Sequence, residues 1–472
     1  MAKKVTNKVS PKKEQIVMRT ITSFLNNEYT EYTKYVLATR ALPSVIDGFK
    51  VGARKVMHAA FNGALKDGHE HKILNLTGDT FNLTYYAHGD DSLNGNIIGL
   101  GQHFHDLLNP LYINGQSGSL RDPNAISAAR YPYVKLNKYA KLYKTDYDLL
   151  DYTFDEGKYL EPYFYLPVIP TVLTNRAEGM APGYKFYTMS YNPLDIIHAC
   201  EEYIKTGVIK TKIKPYIPDV KESSWQWNAA ENCWYNVGEW KYNKSKDLMI
   251  VTDLPYDIDF DSFEKMLNKF VETGYIKEWK NFSEGTNIHY DIHFNKKCLE
   301  KELGKGPDTK LPLKFKLIKK VPDDLLWVLD ERSKIKHFES INELIQYFVN
   351  FRLIKYDDRK SRLVKVLNER FNNNTDICKF IELVITGKIE IRNRKKADIK
   401  NDLKPYKLPE TMLSYPMSKL TKEEYEELLK QNKEIKKEID YVVKTTTKTM
   451  YLNDLKELYK ELEKDFETKK EG

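Results

Sequence analysis

Arg130 and Tyr131 close an eighteen-residue stretch, Asn114-Gly-Gln-Ser-Gly-Ser-Leu-Arg-Asp-Pro-Asn-Ala-Ile-Ser-Ala-Ala-Arg-Tyr131, whose other members are mostly small. A phenolic oxygen can attack an electrophile and hold the product as a covalent ester. A guanidinium beside it offers a planar fork suited to phosphate oxygens. Gly115 and Gly118 let the backbone approach a ligand closely, and the run Ala125-Ile-Ser-Ala-Ala129 adds little bulk against a large polyanion. The chain has 33 tyrosines, so the pair alone selects nothing. Two upstream segments narrow the reading: Arg40-Ala-Leu-Pro-Ser-Val-Ile-Asp47-Gly-Phe-Lys50-Val-Gly-Ala-Arg54-Lys55, and Tyr85-Tyr86-Ala87-His88-Gly89-Asp90-Asp91-Ser92-Leu93.

The elements that must position these residues belong to a chain of 472 residues, enough for about three domains. Mean hydropathy is −0.60 and no run of 18 apolar residues occurs, which argues against a membrane span. The N-terminus lacks the apolar core of a secretory signal, and Cys200, Cys233, Cys298 and Cys378 are scattered without a Cys-x-x-Cys pair. Reduced, buried cysteines in a cytoplasmic, nucleoid-associated protein are the expectation. Net charge is +8, and residues 1–60 hold eleven Lys/Arg against four Asp/Glu. The excess therefore sits beside the cation-rich motif, where it would attract nucleic acid through phosphate contacts.

Residues 1–15 read as a disordered basic tail. Apolar spacing predicts helices over 15–38, Lys50 to Leu65, Ile73 to Leu83, Ser92 to Leu108 and Asn192 to Thr206. Short helices followed by strands around 111–135 suit a winged helix. Strands are expected at Leu248–Asp253 and His289–Phe294, with Trp225, Trp227, Trp234 and Trp240 filling a small β core rather than stacking on bases. From 338 the pattern becomes helical. Thr421-Lys-Glu-Glu424 is a capping box. Tyr425, Leu428, Asn432, Ile435, Ile439 and Val442 follow at alternating spacings of three and four, a heptad seam with one polar Asn. A last helix is expected from Leu452 to Phe466.

Together the three motifs, in this order and spacing, resemble the DNA breakage-reunion part of type IIA topoisomerases, gyrase A-like. In length the chain is built like the medium subunit of T-even-type phage enzymes. The resemblance implies an α+β multidomain fold. A winged-helix breakage-reunion domain would span 16–160 and a shoulder and α/β tower 161–337. A coiled-coil stalk would span 338–472, with a dimerisation gate at 373–415. It implies Tyr131 as the nucleophile that takes the 5′ end of a cut DNA strand, with Arg130, His88 and Arg54 at the same phosphate. It also implies DNA contacts from Arg40, Lys50, Lys55, Lys72, Gly115, Gln116, Ser119 and Met180, the last in place of an Ile that wedges into the base stack.

Two departures stand out: Tyr86 replaces a family His, and Arg176 replaces a Gly ahead of Met180. Mg²⁺ carboxylates and ATP sites, which the family places in other modules, are expected on a partner ATPase/TOPRIM subunit. Glu178-Gly179 and Asp257-Ile-Asp259-Phe-Asp261 imitate the spacing of the metal motif. The aspartates, however, follow Leu254-Pro255 and precede Ser262-Phe-Glu-Lys-Met-Leu, as helix caps do. Duplex DNA and a second copy of the chain complete the expected partners. The alternatives are a non-catalytic winged-helix scaffold and a tyrosine nuclease, for which only His103-Phe-His105 has the metal-pair spacing, inside an expected helix.

Overall fold

A computed structural model describes residues 19–466 apart from 105, 232, 244, 285–286, 296–306, 322–324 and 392–393. The expected basic tail, Cys298 and His105 lie outside the described residues. The first helical segment runs from 21 to 41 and is wound partly with i→i+5 bonds, at Leu25–Tyr29 and Leu37–Ala41.

Beyond the Pro43 and Asp47-Gly48 break come helix α1 (Val51–Asn62), strand β1 (His71–Lys72), helices α2 (Ile73–Thr84) and α3 (Asp90–Gly99), and strands β2 (Leu111–Asn114) and β3 (Tyr133–Leu136). The strands form an antiparallel sheet in the order β1-β3-β2. Helix α1 buries Val56, Met57, Ala59, Ala60 and Phe61 along one face. Helix α3 follows Gly89 as its N-cap and carries Asp90 and Asp91 in its first turn, where carboxylates stabilise the exposed N–H groups. It stops at Gly99 rather than near Leu108, which corrects the expected length and leaves His103 outside any helix. Gly99 and Gly101 favour a turn there, and at 101 only glycine fits, because a Cβ would lie 2.3 Å from Ile113 Cγ1 on β2.

Strands β4 (Glu178–Ala181) and β5 (Tyr184–Tyr187) form a hairpin, followed by helix α4 (Pro193–Thr206). The next two small sheets use β6 (Trp225–Asn228), β7 (Cys233–Val237), β8 (Trp240–Asn243) and β9 (Leu248–Val251). Helix α5 (Phe260–Glu272), β10 (Ile276–Asn281), β11 (Tyr290–Phe294) and β12 (Ile318–Lys320) complete them. Trp225 is buried and stacks on Tyr256 with centroids 5.7 Å apart, while Trp227 meets Trp234 edge-on at 5.3 Å. Strand β13 (Leu326–Leu329) then joins the sheet of β4 and β5, and β14 (Ile335–Phe338) extends it.

Helix α6 (Ile341–Ile385) runs for 45 residues, about 68 Å at 1.5 Å per residue. It covers the first thirteen residues, 373–385, of the segment expected to be a separate insert. Helix α7 (Lys422–Lys444) packs back along it. Thr421 caps α7 by accepting from the Glu424 N–H at 3.2 Å. Leu428, Asn432 and Val442 of the seam are buried, and Asn432 Nδ2 donates to Thr375 of α6 at 3.1 Å. Helix α8 (Thr447–Phe466) returns to pack on α4 and α6.

Three apolar cores result. The largest joins α1–α3 to α4, to β13, to the start of α6 and to α8. A boundary at 160/161 or 337/338 therefore cuts through one core rather than between two. The second core lies between the sheet of β8–β11 and α5, and the third gathers the end of α6, residues 389–412 and Leu428.

Candidate functional site

Residues 115–132 connect β2 to β3 and carry the Arg130-Tyr131 pair. Gly115 has φ +138, and a Cβ there would lie 2.9 Å from Pro132 Cβ. Glycine therefore lets the two stems of the loop touch. Gly118, at φ +86, faces the Pro123 carbonyl in the same way. The loop folds on itself. Ser127 N–H donates to the Gln116 carbonyl at 3.0 Å, and Ser119 and Asp122 exchange main-chain bonds of 3.0 and 3.2 Å. Gln102 braces it by donating to the Ser117 carbonyl at 2.7 Å. The Tyr131 ring is 60% exposed, and the Arg130 guanidinium carbon lies 5.0 Å from its centroid. A free phenol beside a cation is what an attacking oxygen and a phosphate stabiliser require.

Arg121 was missed by motif reading. It donates to the carbonyls of Pro255, Ile258 and Leu254 at 2.7, 2.9 and 2.6 Å, and its own carbonyl accepts from Phe260 N–H at 3.0 Å. These bonds tie the tip of the loop to the start of α5. An arginine inside a loop motif was the visible signal, but its partners lie more than 130 positions away in sequence.

The second group of candidates gathers in a cavity of about 610 Å³ lined by Arg40, Lys50, Lys55 and His88. Arg40 Nη2 lies 3.1 Å from His88 Nδ1, and Tyr86, buried, meets His88 edge-on at 5.4 Å. Lys50 donates to the Glu178 carbonyl at 2.7 Å; burial lowers its ammonium below the ordinary lysine range, against the opposing charge of Glu178. Lys55 is more enclosed: it bonds the Thr84 carbonyl and ion-pairs with Glu161 at 3.2 Å. No hydrogen bond, ion pair or ring contact among the described residues joins Arg130 or Tyr131 to Arg40 or His88.

Arg54 requires correction. It is 6% exposed, and its guanidinium donates to Asp47 Oδ2 at 2.8 Å, to Asp47 Oδ1 at 3.0 Å and to the Phe49 carbonyl at 3.1 Å. Those bonds hold the Asp47-Gly48 turn against α1 and leave Arg54 unavailable to a phosphate. Lys72 also has internal partners, the Tyr131 carbonyl at 2.8 Å and the Tyr133 ring at 3.7 Å. Met180, on β4, is 69% exposed. Arg176 does not point outward as a spare cation; it sits 5.7 and 5.6 Å from the ring centroids of Tyr187 and Tyr256.

The acidic residues that imitate a metal motif have other roles. Asp259 caps α5 by accepting from the Ser262 N–H at 2.6 Å, Asp261 pairs with Lys265 at 2.5 Å, and Asp257 pairs with Lys319. No three His, Cys, Asp or Glu residues converge as a metal site among the described residues. No described helix is long and apolar enough to cross a membrane.

An exposed tyrosine on a pinned loop, an adjoining arginine and a basic cavity, set on a mixed α/β frame, define a class. Residues 40–459 match the family model for the A subunit of DNA gyrase/topoisomerase IV, and the chain belongs to that family. Among individual proteins it is 28% identical to the mitochondrial DNA topoisomerase 2 of Dictyostelium discoideum over 463 residues, 94% of this chain and 35% of that protein. It is likewise 28% identical to DNA topoisomerase 2 of Arabidopsis thaliana over 498 residues, 94% of this chain and 33% of that one. The chain thus spans about a third of the length of these relatives. Its fold matches the crystal structure of the Plasmodium falciparum topoisomerase II DNA-binding, cleavage and re-ligation domain. That match has a TM-score of 0.80 and 26% identity, covering 95% of this chain and 65% of that one.

Proposed function

We propose that this chain is the DNA-cleaving and resealing subunit of an ATP-dependent type II topoisomerase. The exposed Tyr131, on a loop stem with both of its own main-chain polar groups engaged, carries the reading. Its oxygen attacks a backbone phosphorus in line. The phenol loses its proton, the 3′ oxygen departs with one, and the phosphate is left as an ester of Tyr131 on the 5′ end. Energy of the broken bond is kept in that ester, so reversal of the step reseals the strand. Arg130 supplies charge to the phosphate as five oxygens surround it. Arg40, His88 and Lys50 offer the basic surface on which a duplex would lie, and Lys55, deeper in the cavity, sets its floor.

The order helix, strand, helix, helix, strand, loop, strand over 51–136 supports a winged helix with Tyr131 in its wing. Exposed Met180, at the edge of a hairpin, is suited to wedge between base steps and bend the duplex. Residues 161–337 would then form a shoulder and tower, α6 and α7 a stalk, and the third core a gate between two copies. Two copies would supply two tyrosines for two strands, in keeping with twofold symmetry as the commonest assembly.

Mg²⁺ and ATP are assigned to a partner subunit. Bound there, Mg²⁺ would neutralise charge on the scissile phosphate. The helical segment 21–36 leaves Ile21, Phe24, Leu25 and Tyr32 exposed, in keeping with cover by another polypeptide.

The test is covalent trapping of the chain on duplex DNA with a TOPRIM partner and Mg²⁺. Tyr131→Phe removes one exposed oxygen, so packing and DNA affinity should hold within about threefold while trapping is abolished. Undiminished trapping would sink the assignment. Tight DNA binding with no trapping even in the wild type would favour a non-catalytic scaffold.

A further inference from the structure

Strand β1 is two residues long, yet it and its flanks touch both stems of the loop that carries Tyr131. Glu70 accepts from Asn114 Nδ2 at the incoming stem at 3.0 Å and from Lys135, on the outgoing strand β3, at 2.9 Å. At the outgoing stem the Lys72 ammonium donates to the Tyr131 carbonyl at 2.8 Å and rests 3.7 Å from the centroid of Tyr133, its cross-strand neighbour. One residue further, the Ile73 N–H donates to the Pro132 carbonyl at 3.3 Å. The Tyr131 N–H donates to the Ala128 carbonyl at 2.9 Å. Both main-chain polar groups of Tyr131 are therefore engaged while its ring is 60% exposed. Pro132 limits it further, because a residue before proline is kept out of the α region.

An ammonium has three donors and no acceptor. In Lys72 one donor is on a carbonyl, and the charge is seated on an aromatic face, an attraction that strengthens as water is excluded. We propose that Lys72 is a positioning residue rather than a phosphate contact: it fixes the main chain of Tyr131 so that the phenolic oxygen meets phosphorus in line, with Glu70 bracing the opposite stem. This rests on the reading of Tyr131 as the nucleophile. Reacting groups must be held closely, and a 1 Å misplacement costs on the order of 100-fold in rate.

The experiment uses the full chain with its TOPRIM partner, Mg²⁺ and a duplex, in the wild type and in Lys72→Met, Lys72→Arg and Tyr133→Leu. Two quantities are read: the salt dependence of DNA Kd, and the single-turnover rate of covalent attachment at saturating DNA. Lys72→Met should slow attachment about 10- to 100-fold while the slope of log K against log salt stays at its wild-type value. Lys72→Arg, which can still donate to the carbonyl, should recover most of the rate. Should Lys72→Met fail to fold, Tyr133→Leu removes only the aromatic seat and should slow attachment severalfold at unchanged slope. A slope reduced by about 0.9 with attachment at the wild-type rate would make Lys72 a phosphate ligand and overturn the proposal. A wild-type rate in both Lys72→Met and Tyr133→Leu would overturn it as well. Failure of the wild type to attach at all would instead refute the nucleophile reading on which the proposal rests.

Discussion

Replacing Arg54 by methionine should destabilise the fold strongly while leaving DNA affinity nearly untouched. Asp47 is fully buried and accepts four hydrogen bonds: two from Arg54, at 2.8 and 3.0 Å, and one each from the N–H groups of Phe49 and Tyr165, both at 3.0 Å. Removing one partner from a buried, hydrogen-bonded ion pair costs about 3–5 kcal/mol. The two main-chain donors stay on the carboxylate, which places Arg54→Met near the lower end, at about 3 kcal/mol. At roughly 2–4 °C per kcal/mol for a unit of this size, the thermal midpoint should fall by about 6–12 °C. The double variant Asp47→Leu/Arg54→Met leaves no buried charge and should be less destabilised than the two single changes summed, by at least ~1 kcal/mol. Calorimetry gives the midpoints, and fluorescence anisotropy on a duplex gives the affinity. The reasoning fails if Arg54→Met melts within about 2 °C of the wild type yet binds DNA tenfold more weakly, since the guanidinium would then be serving phosphate.

Two further outcomes follow from buried polar groups. Burial alone raises the Asp106 carboxyl well above its ordinary value. In the unfolded chain it ionises near ~3.9, so above that pH the native state holds the extra proton, and stability is lost as pH rises towards the native value. Asp106→Asn removes that loss, and its advantage over the wild type in urea unfolding should grow from pH 4 upward; a gap independent of pH would refute this. In the seam of α6 and α7, Asn432 Oδ1 is buried without a partner among the described residues, whereas Thr375 keeps a bond of 2.7 Å to the Phe371 carbonyl whatever faces it. Asn432→Leu should therefore stabilise the helix pair by about 1–2 kcal/mol, read as a raised midpoint; a lowered midpoint would mean that the Asn432–Thr375 bond outweighs the orphaned oxygen.

Much of this protein was legible in its residues because the signals are local. Glycines at 115 and 118 and the small run to Ala129 marked a tight loop ending in the Arg130-Tyr131 pair, and the chain turns there with positive φ at both glycines and Tyr131 exposed. The Thr421 capping box and the seam through Leu428, Asn432 and Val442 follow from helical periodicity, which is a property of the backbone itself. Asp259 as a cap was readable from its place before Ser262-Phe-Glu. Helix ends were less so: α3 stops at Gly99, where the glycines at 99 and 101 were a stop signal passed over, and Gly101 then leaves room for the Ile113 side chain.

Charge assignments needed the tertiary structure. Arg40, Lys50, Arg54, Lys55 and Lys72 look alike in sequence as cations upstream of the Arg130-Tyr131 pair. Their fates differ because of the partners the fold brings to them: Arg54, buried, finds Asp47 seven residues away, Lys55 finds Glu161 from a distant segment, and Lys72 meets the Tyr131 carbonyl across the sheet. The same holds for Arg121, bound to carbonyls of residues 254–258, and for the main core, which draws α8 against α1–α4 across nearly the whole chain. Sequence by itself determined which chemical groups are present, their local turns and their helical faces, because these depend on neighbours a few residues away. The three-dimensional fold alone decided which cations are spent on holding the molecule together and which remain open to a ligand, because burial and pairing are set by contacts that no local pattern records.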